Sequence, residues 1–215
     1  KGVVFDINGN QLASATVAYS VDSPKASFIE IDAEIFRDAV FSVIRKLSAQ
    51  VHHDPVGALA VSSHGETIIP VDVNGNAIAP AIMNADNRAI AEAEWWQENF
   101  GAEKIYAITG VPLHPMFSLN KIMWLRKQRP DIYRTANKFL SVGDYILAQF
   151  GLPPYTDYSL AARTMAFDMH SCCGSDEILD HYGISPEQLG IPLAPGSVAG
   201  TLSGAIADKL GLRKG

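Results

Sequence analysis

The sequence predicts an α/β fold, with a sheet-based core carrying a helical insertion or cap. Three observations lead there. Up to Asn76 the chain reads as β-β-α-β-β, with Asn-Gly turns at Asn8-Gly9 and Asn74-Gly75. Apolar residues at helical spacing dominate from Ala89 onward. Strands followed by helices are the order of a sheet with helices added to it. The chain has 215 residues and is 47% hydrophobic, enough for one sizeable core or two small ones. A chain of this length buries roughly 70% of its unfolded surface and needs no disulfide or metal staple.

Val3-Val4-Phe5 reads as a strand, and apolar alternation resumes from Leu12 to Tyr19. Asn8-Gly9 between them is a hairpin signal, because both residue types tolerate positive φ. Asp32 can cap a helix carrying Phe36, Ala39, Val40, Val43, Ile44, Leu47 and Val51, with Pro55 beyond its end. Val56–Ser62 is nearly all apolar and reads as a buried central strand. Ile68–Val73 reads as another strand, turning at Asn74-Gly75-Asn76. Helices follow at Ala89–Phe100, stopped by Gly101, and at Ser118–Gln128, capped by Ser118 and halted before Pro130. Leu140–Phe150 reads as a helix ending at Gly151, and Ser175–Tyr182 as a short one ended by Gly183. Ser185-Pro186-Glu187 opens a last helix with proline at its first position. The tail from Ile191 to Gly215 has few long apolar stretches, and no internal repeat is evident.

The 17 Lys and Arg against 23 Asp and Glu give a net charge of −6. That balance argues against nonspecific binding to nucleic acid or anionic membranes, which needs a basic face. It permits a local basic pocket for a phosphorylated ligand. No apolar run approaches ~18 residues, so no transmembrane helix is expected. The opening KGVVFDINGN reads as a strand entering a turn, not as a signal peptide. Cys172 and Cys173 are adjacent and lack a C-x-x-C partner, so they read as two reduced thiols of an intracellular, cytoplasmic protein. The six His are scattered, with only His52 and His53 neighbours, and no metal-spaced cluster appears.

Four segments could carry chemistry. Ser62-Ser63-His64-Gly65-Glu66-Thr67 follows the expected central strand, where open α/β sheets bind ligands. Gly65 would let backbone approach a ligand, and His64 and Glu66 offer a donor and an acceptor for hydroxyl groups. The alternative is a strand end whose polar groups face solvent or cap a turn. In Asn84-Ala85-Asp86-Asn87-Arg88, Asp86 could accept from sugar hydroxyls and Arg88 could hold Asp86 or an anion. The alternative is an Asx-type helix start with a local ion pair. In Thr109–Ser118, His114 and Met116 could line a pocket or simply pack. Lys121, in the first turn of the next helix, reads as solvated surface. In Thr156–Thr164, Asp157 or Ser159 reads as a helix cap. Walker A, G-x-G-x-x-G and G-x-S-x-G patterns are absent.

These segments, in this order, resemble the N-terminal domain of the FGGY carbohydrate kinases, which include gluconate, xylulose, glycerol, fuculose and ribulose kinases. The matching stretches are VVFDINGN, SSHGET, NADNRA, TGVPLHPMFSLNKIMWLRKQRPDIY, VGDYILAQFG, TDYSLAARTMAFD and GLRKG. NADNRA and TGVPLHPM look most like the gluconate and xylulose branches. The resemblance implies a ribonuclease-H-like, actin-like ATPase domain with a mixed sheet and a helical insertion. It implies transfer of the ATP γ-phosphoryl group, with Mg2+, to a hydroxyl of a sugar or sugar acid. Such catalysis rests on positioning and charge stabilisation. His64 matches a sugar-contacting histidine of the xylulose kinases, and Glu66 a polyol-contacting glutamate of the glycerol kinases. Asp86 and Arg88 match the second half of a W-x-D-x-R segment, with Asn84 where the tryptophan usually stands. Met116 falls where the glycerol kinases place a substrate-touching tyrosine. His64, Gly65, Glu66, Asp86, Arg88 and Met116 are the substrate-binding candidates that follow, with no metal ligand among them.

At the ends, Lys1 looks like the last residue of the family's D-x-G-T-T-x-x-K phosphate loop, and so a nucleotide-phosphate contact. The family's general-base aspartate is expected after Gly215. Residues 1–215 are therefore expected to be the sugar-binding N-terminal domain, lacking the first strand, the phosphate loop and the C-terminal ATP-binding domain. Such a chain is expected to be inactive alone. An apolar face should remain where the second domain docks, so self-association, a homodimer included, is also expected. A stand-alone, non-catalytic sugar-binding or regulatory module is the competing expectation, and a partner that completes a kinase in trans is a third.

Overall fold

The computed structural model describes residues 1–51 and 53–214. His52 and Gly215 lie outside the described residues. Strand β1 (Gly2–Phe5) pairs antiparallel with β2 (Gln11–Ala15). The turn between them is built by a carboxylate: Asp6 Oδ1 accepts from the Asn8 and Asn10 amides at 2.8 and 2.9 Å. Only Gly9 of the Asn-Gly pair takes positive φ, at 84°. The expected hairpin forms, with the Asx-type bonds shaping its Asn8 side.

The same D-x-N-G-N pattern returns at Asp72–Asn76, after β4 (Ile69–Val71). There Asp72 Oδ1 accepts from Asn74 and Asn76 at 2.8 and 2.9 Å, and Gly75 has φ 79°. The turn expected at Asn74-Gly75-Asn76 is thus built by the same carboxylate device as the first.

Helix α1 (Ala33–Gln50) is capped by Asp32, which accepts from the Glu34 amide at 2.9 Å. Its buried stripe, Phe36, Val43, Ile44 and Leu47, follows the spacing read from sequence. The hairpin β1–β2 lies on this helix, and a side chain at Gly2 would run into Val43 and Leu47. Strands β3 (Glu30–Ile31) and β5 (Ala81–Ile82) pair antiparallel, as do β4 and β6 (Lys138–Leu140). A bridge between Ile68 and Ile82 links the two pairs. With α6 (Val142–Gln149) and α9 (Gly204–Leu210) they enclose one core, containing Ile31, Ile69, Leu140, Tyr145 and Leu210.

The expected central strand Val56–Ser62 does not form. Residues 57–60 are exposed, and no backbone hydrogen bond reaches 55–62 among the described residues. An apolar run becomes a strand only when a neighbour takes its N–H and C=O groups.

The second core is helical, and it bears out the expected helical addition to a sheet. It joins α2 (Ile90–Asn99), α3 (Ala102–Thr109), α4 (Ser118–Gln128), α5 (Pro130–Thr135) and α8 (Asp176–Tyr182). Trp96 is fully buried at its centre, beside half-buried Trp95. Helix α8 ends at Gly183 as read from sequence, with Ser175 capping it. Strand β6 and helices α3, α5 and α9 were not anticipated. Leu140 belongs to β6, and α6 starts at Val142 because Ser141 and Asp144 form a capping box. Ser185 also caps, but its helix is only a 3-10 turn, Pro186–Gln188. Strand β7 (Tyr155–Asp157) pairs parallel with β10 (Ile191–Leu193), so the pairing is mixed. Helix α7 (Tyr158–Ala162) follows β7, and β8 (Phe167–Asp168) pairs with β9 (Cys173–Gly174). Both cysteines are free. No helix among the described residues is long and apolar enough to cross a membrane.

Candidate functional site

The first turn of α4 organises the candidate residues. Its N-cap is Phe117, not Ser118. Ser118 is one residue further in, and its hydroxyl donates to the Gly65 carbonyl at 3.2 Å. Lys121, one turn on and on the same face, donates to the Glu66 carbonyl at 2.8 Å and the Met83 carbonyl at 2.7 Å. Two consecutive carbonyls of the SHGET segment are thus gripped from one helix end.

Lys121 is 0% exposed, which overturns its reading as solvated surface. Leu119, Asn120, Ile122 and Met123 are buried too, so this turn shows no face to water. Burial lowers the lysine to about 7, against the pull of the Asp86 and Glu66 carboxylates. The two carbonyls answer two N–H donors, which either charge state possesses.

His64 and Glu66 stand at the gripped segment. His64 is half-buried and its Nε2 lies 2.7 Å from Thr67 Oγ1. Burial lowers its pKa, Glu66 works against that, and Lys121 adds to it. Glu66 is 6% exposed, and Arg163 Nη1, just past α7, lies 3.4 Å from its carboxylate. Gly65 serves a different end from the one expected. A side chain there would meet Arg163 Cβ at 2.9 Å and Leu160 Cδ2 at 3.2 Å. The space on the Cβ side of this glycine is already filled by the α7 region, so its smallness admits a helix end.

Asp86 and Arg88 form a buried, closed arrangement. Asp86 Oδ1 accepts from Arg88 N and Nε, both at 2.9 Å. Oδ2 accepts from Arg88 Nη2 at 2.7 Å and from the Ile29 amide at 2.6 Å. Arg88 Nη1 reaches Glu30 at 2.7 Å, and its guanidinium lies 3.9 Å from the Phe28 ring centroid and 4.9 Å from that of Trp124. These two residues bind loop 22–30 to α4. Asn84, beside them, is half-buried.

Met116 is half-buried against the helical core, with its amide 3.2 Å from His114 Nδ1. Asp157 caps α7, accepting from the Ser159 and Leu160 amides, as the sequence suggested. Lys1 is exposed ahead of β1. The structure therefore joins His64, Gly65, Glu66, Asp86 and Arg88 through Lys121, with Met116 a few residues before α4 and Lys1 apart at the hairpin. Among the described residues no group of His, Cys, Asp and Glu could hold a metal ion, so the donor set of these residues does not fit one. Sequence reasoning missed Lys121 and Ser118 as ties and Arg163 as the partner of Glu66. The signal for Lys121 was its place between apolar residues on both sides of the helix.

Comparison with known proteins gives a consistent picture. The FGGY family of carbohydrate kinases, N-terminal domain, matches residues 1–215. A gluconokinase of Bacillus subtilis (strain 168) is 30% identical over 189 residues, covering 88% of this chain and 37% of that protein. A xylulose kinase of Staphylococcus xylosus is 28% identical over 212 residues, covering 99% of this chain and 44% of that protein. The chain thus spans less than half the length of these relatives. Among solved structures, the gluconate kinase from Lactobacillus acidophilus superposes with a TM-score of 0.91 at 28% identity, over 99% of this chain and 43% of that one.

Proposed function

The chain belongs to the FGGY family of carbohydrate kinases, and on that premise we propose that residues 1–215 are the domain that binds the sugar or sugar acid. Gluconate, xylulose or a related sugar is the substrate class. The observation that carries this is the gripping of the Gly65, Glu66 and Met83 carbonyls from the first turn of α4, which fixes the segment bearing His64 and Glu66 beside the Asn84–Arg88 turn. A half-buried imidazole and a carboxylate at fixed spacing suit a chain of hydroxyl groups, each of which both donates and accepts. Asp86 and Arg88 hold the turn bearing Asn84, and Met116 supplies apolar surface.

ATP with Mg2+, when bound in the complete enzyme, would supply the phosphoryl group. These residues contribute orientation: they hold the acceptor hydroxyl, and the general base comes from an aspartate outside them. Lys1 faces the nucleotide phosphates. The enzyme works in the cytoplasm, and the second kinase domain is the partner of this one; without that domain the chain self-associates.

Calorimetric titration of the chain with D-gluconate, D-xylulose and glycerol tests the reading. Saturable binding of gluconate or xylulose is expected, weakened about tenfold by Glu66→Gln, as loss of one charge-assisted hydrogen bond implies. The same chain is expected to release no ADP from ATP and sugar. Absence of binding to any of the sugars overturns the assignment.

A further inference from the structure

We infer that Lys121 is a positioning residue for the sugar site, tying the His64–Thr67 segment and the Met83–Arg88 turn to one point inside α4. The inference rests on the proposed sugar-binding role of those two segments. Its basis is geometric. Residues 66 and 83 are brought to a single nitrogen, at 2.8 and 2.7 Å, and that nitrogen is wholly buried. Among the described residues no side chain other than Lys121 bonds either carbonyl, and Met83 O accepts besides only from the Asp86 amide, at 3.1 Å. Ser118 adds a third tie at Gly65. A sugar that touches both segments therefore meets groups whose separation is set by Lys121, which it cannot itself reach.

The charge state matters as well as the bonds. An ammonium offers three N–H donors and finds two carbonyls, with no carboxylate within ion-pair distance among the described residues. A neutral amine matches the two carbonyls with two N–H groups. The groups facing it are Glu66 and His64 from the gripped segment and Asp86 and Arg88 from the turn. Arg163 stands behind Glu66, and Glu30 behind Arg88. With its pKa lowered to about 7, Lys121 changes charge close to neutrality, and its positive charge adds to the lowering of the His64 pKa.

Stability follows the same titration with a definite sign. A lysine depressed in the folded state contributes stability that is present above its ordinary value of 10.5 and lost as pH falls through about 7. Wild-type stability should therefore rise between these limits relative to Lys121→Met.

The test uses nuclear magnetic resonance and calorimetry on the 215-residue chain and on Lys121→Met. In the variant, amide resonances of both 64–67 and 83–88 are expected to move. The His64 pKa should rise as the neighbouring cation is lost, and sugar affinity should fall about tenfold. The wild type should show a change in sugar affinity across pH 7 that the variant lacks, which a merely structural lysine would not produce. A folded variant with unchanged His64 titration and unchanged affinity overturns the inference.

Should Lys121→Met not fold, the wild type decides through its lysine ε-carbon resonances. A shift of the Lys121 ε-carbon resonance on sugar binding, together with the amides of 64–67 and 83–88, supports the inference, and sugar binding that moves those amides while Lys121 stays unmoved overturns it. Should the wild type bind no sugar, the functional proposal falls by itself. The amide shifts still decide whether Lys121 couples the two segments, and movement of only one of them overturns the coupling.

Discussion

Residues 57–60 and residues 65–67 stand four residues apart in sequence, yet one stretch is apolar and exposed while the other is polar and buried. Leu59 is 43% exposed, and the backbone from 55 to 62 has no partner among the described residues. Glu66 is 6% exposed, Thr67 and Lys121 are 0%, and the Gly65 and Glu66 carbonyls both accept hydrogen bonds. Hydropathy alone would place these two stretches the other way round. The difference lies in what stands beside each: α4, α7 and the 83–88 turn surround the second, and no ladder reaches the first. A polar segment is buried where donors and acceptors match, and an apolar one stays out where it has no neighbour.

The largest test of this contrast removes a match from the buried side. Arg88→Met leaves the Asp86 carboxylate inside with only backbone amides, having lost both guanidinium bonds. Removing one member of a buried pair costs about 3–5 kcal/mol. A urea midpoint lowered by that amount is expected. A loss below about 1 kcal/mol, the scale of an exposed ion pair, would show that water reaches Asp86 and that the buried side is less closed than its geometry indicates.

What could be read from the residues follows the same division. Helix α1 was legible because its stripe and its Asp32 cap are local facts. The D-x-N-G-N turns were legible as turns, and the carboxylate that builds them was in view at Asp6 and Asp72. Val56–Ser62 failed because strand formation depends on a partner far away in sequence. Strand β6 and helix α5 are too short to show a period. At the site, the ordered motifs brought out His64, Glu66, Asp86 and Arg88. Their arrangement was hidden, because a lysine in a helix usually reads as surface and only packing reveals Lys121 as the tie. Gly65 was singled out rightly as a close approach, but what approaches it is Arg163 and Leu160.

A smaller effect is expected at that glycine. In Gly65→Ala the new methyl group lies 2.9 Å from Arg163 Cβ and 3.1 Å from its Cγ. The first of these atoms is fixed close to the backbone, so the end of α7 must shift. Overpacking of this kind costs about 1–3 kcal/mol. Because Arg163 also pairs with Glu66, sugar affinity should fall together with the thermal midpoint. A stable Gly65→Ala with unchanged midpoint would mean that the α7 end yields freely, and that the gripped segment is held by α4 alone.

The smallest effect belongs to the exposed stretch, and it tests the contrast from the other side. Leu59 has the largest apolar side chain in 57–60, where every residue is exposed. Its truncation in Leu59→Ala opens no cavity, since nothing encloses it, and removes no hydrogen bond. A change within about 0.5 kcal/mol is therefore expected, as for surface substitutions in general. Burial of a leucine would instead bring a loss of about 2–5 kcal/mol on truncation. A chemical-denaturation midpoint separates the two values easily. A large loss would show that the apolar run is covered in solution, and the neighbour that covers it would then have to supply the backbone partners that residues 55–62 lack.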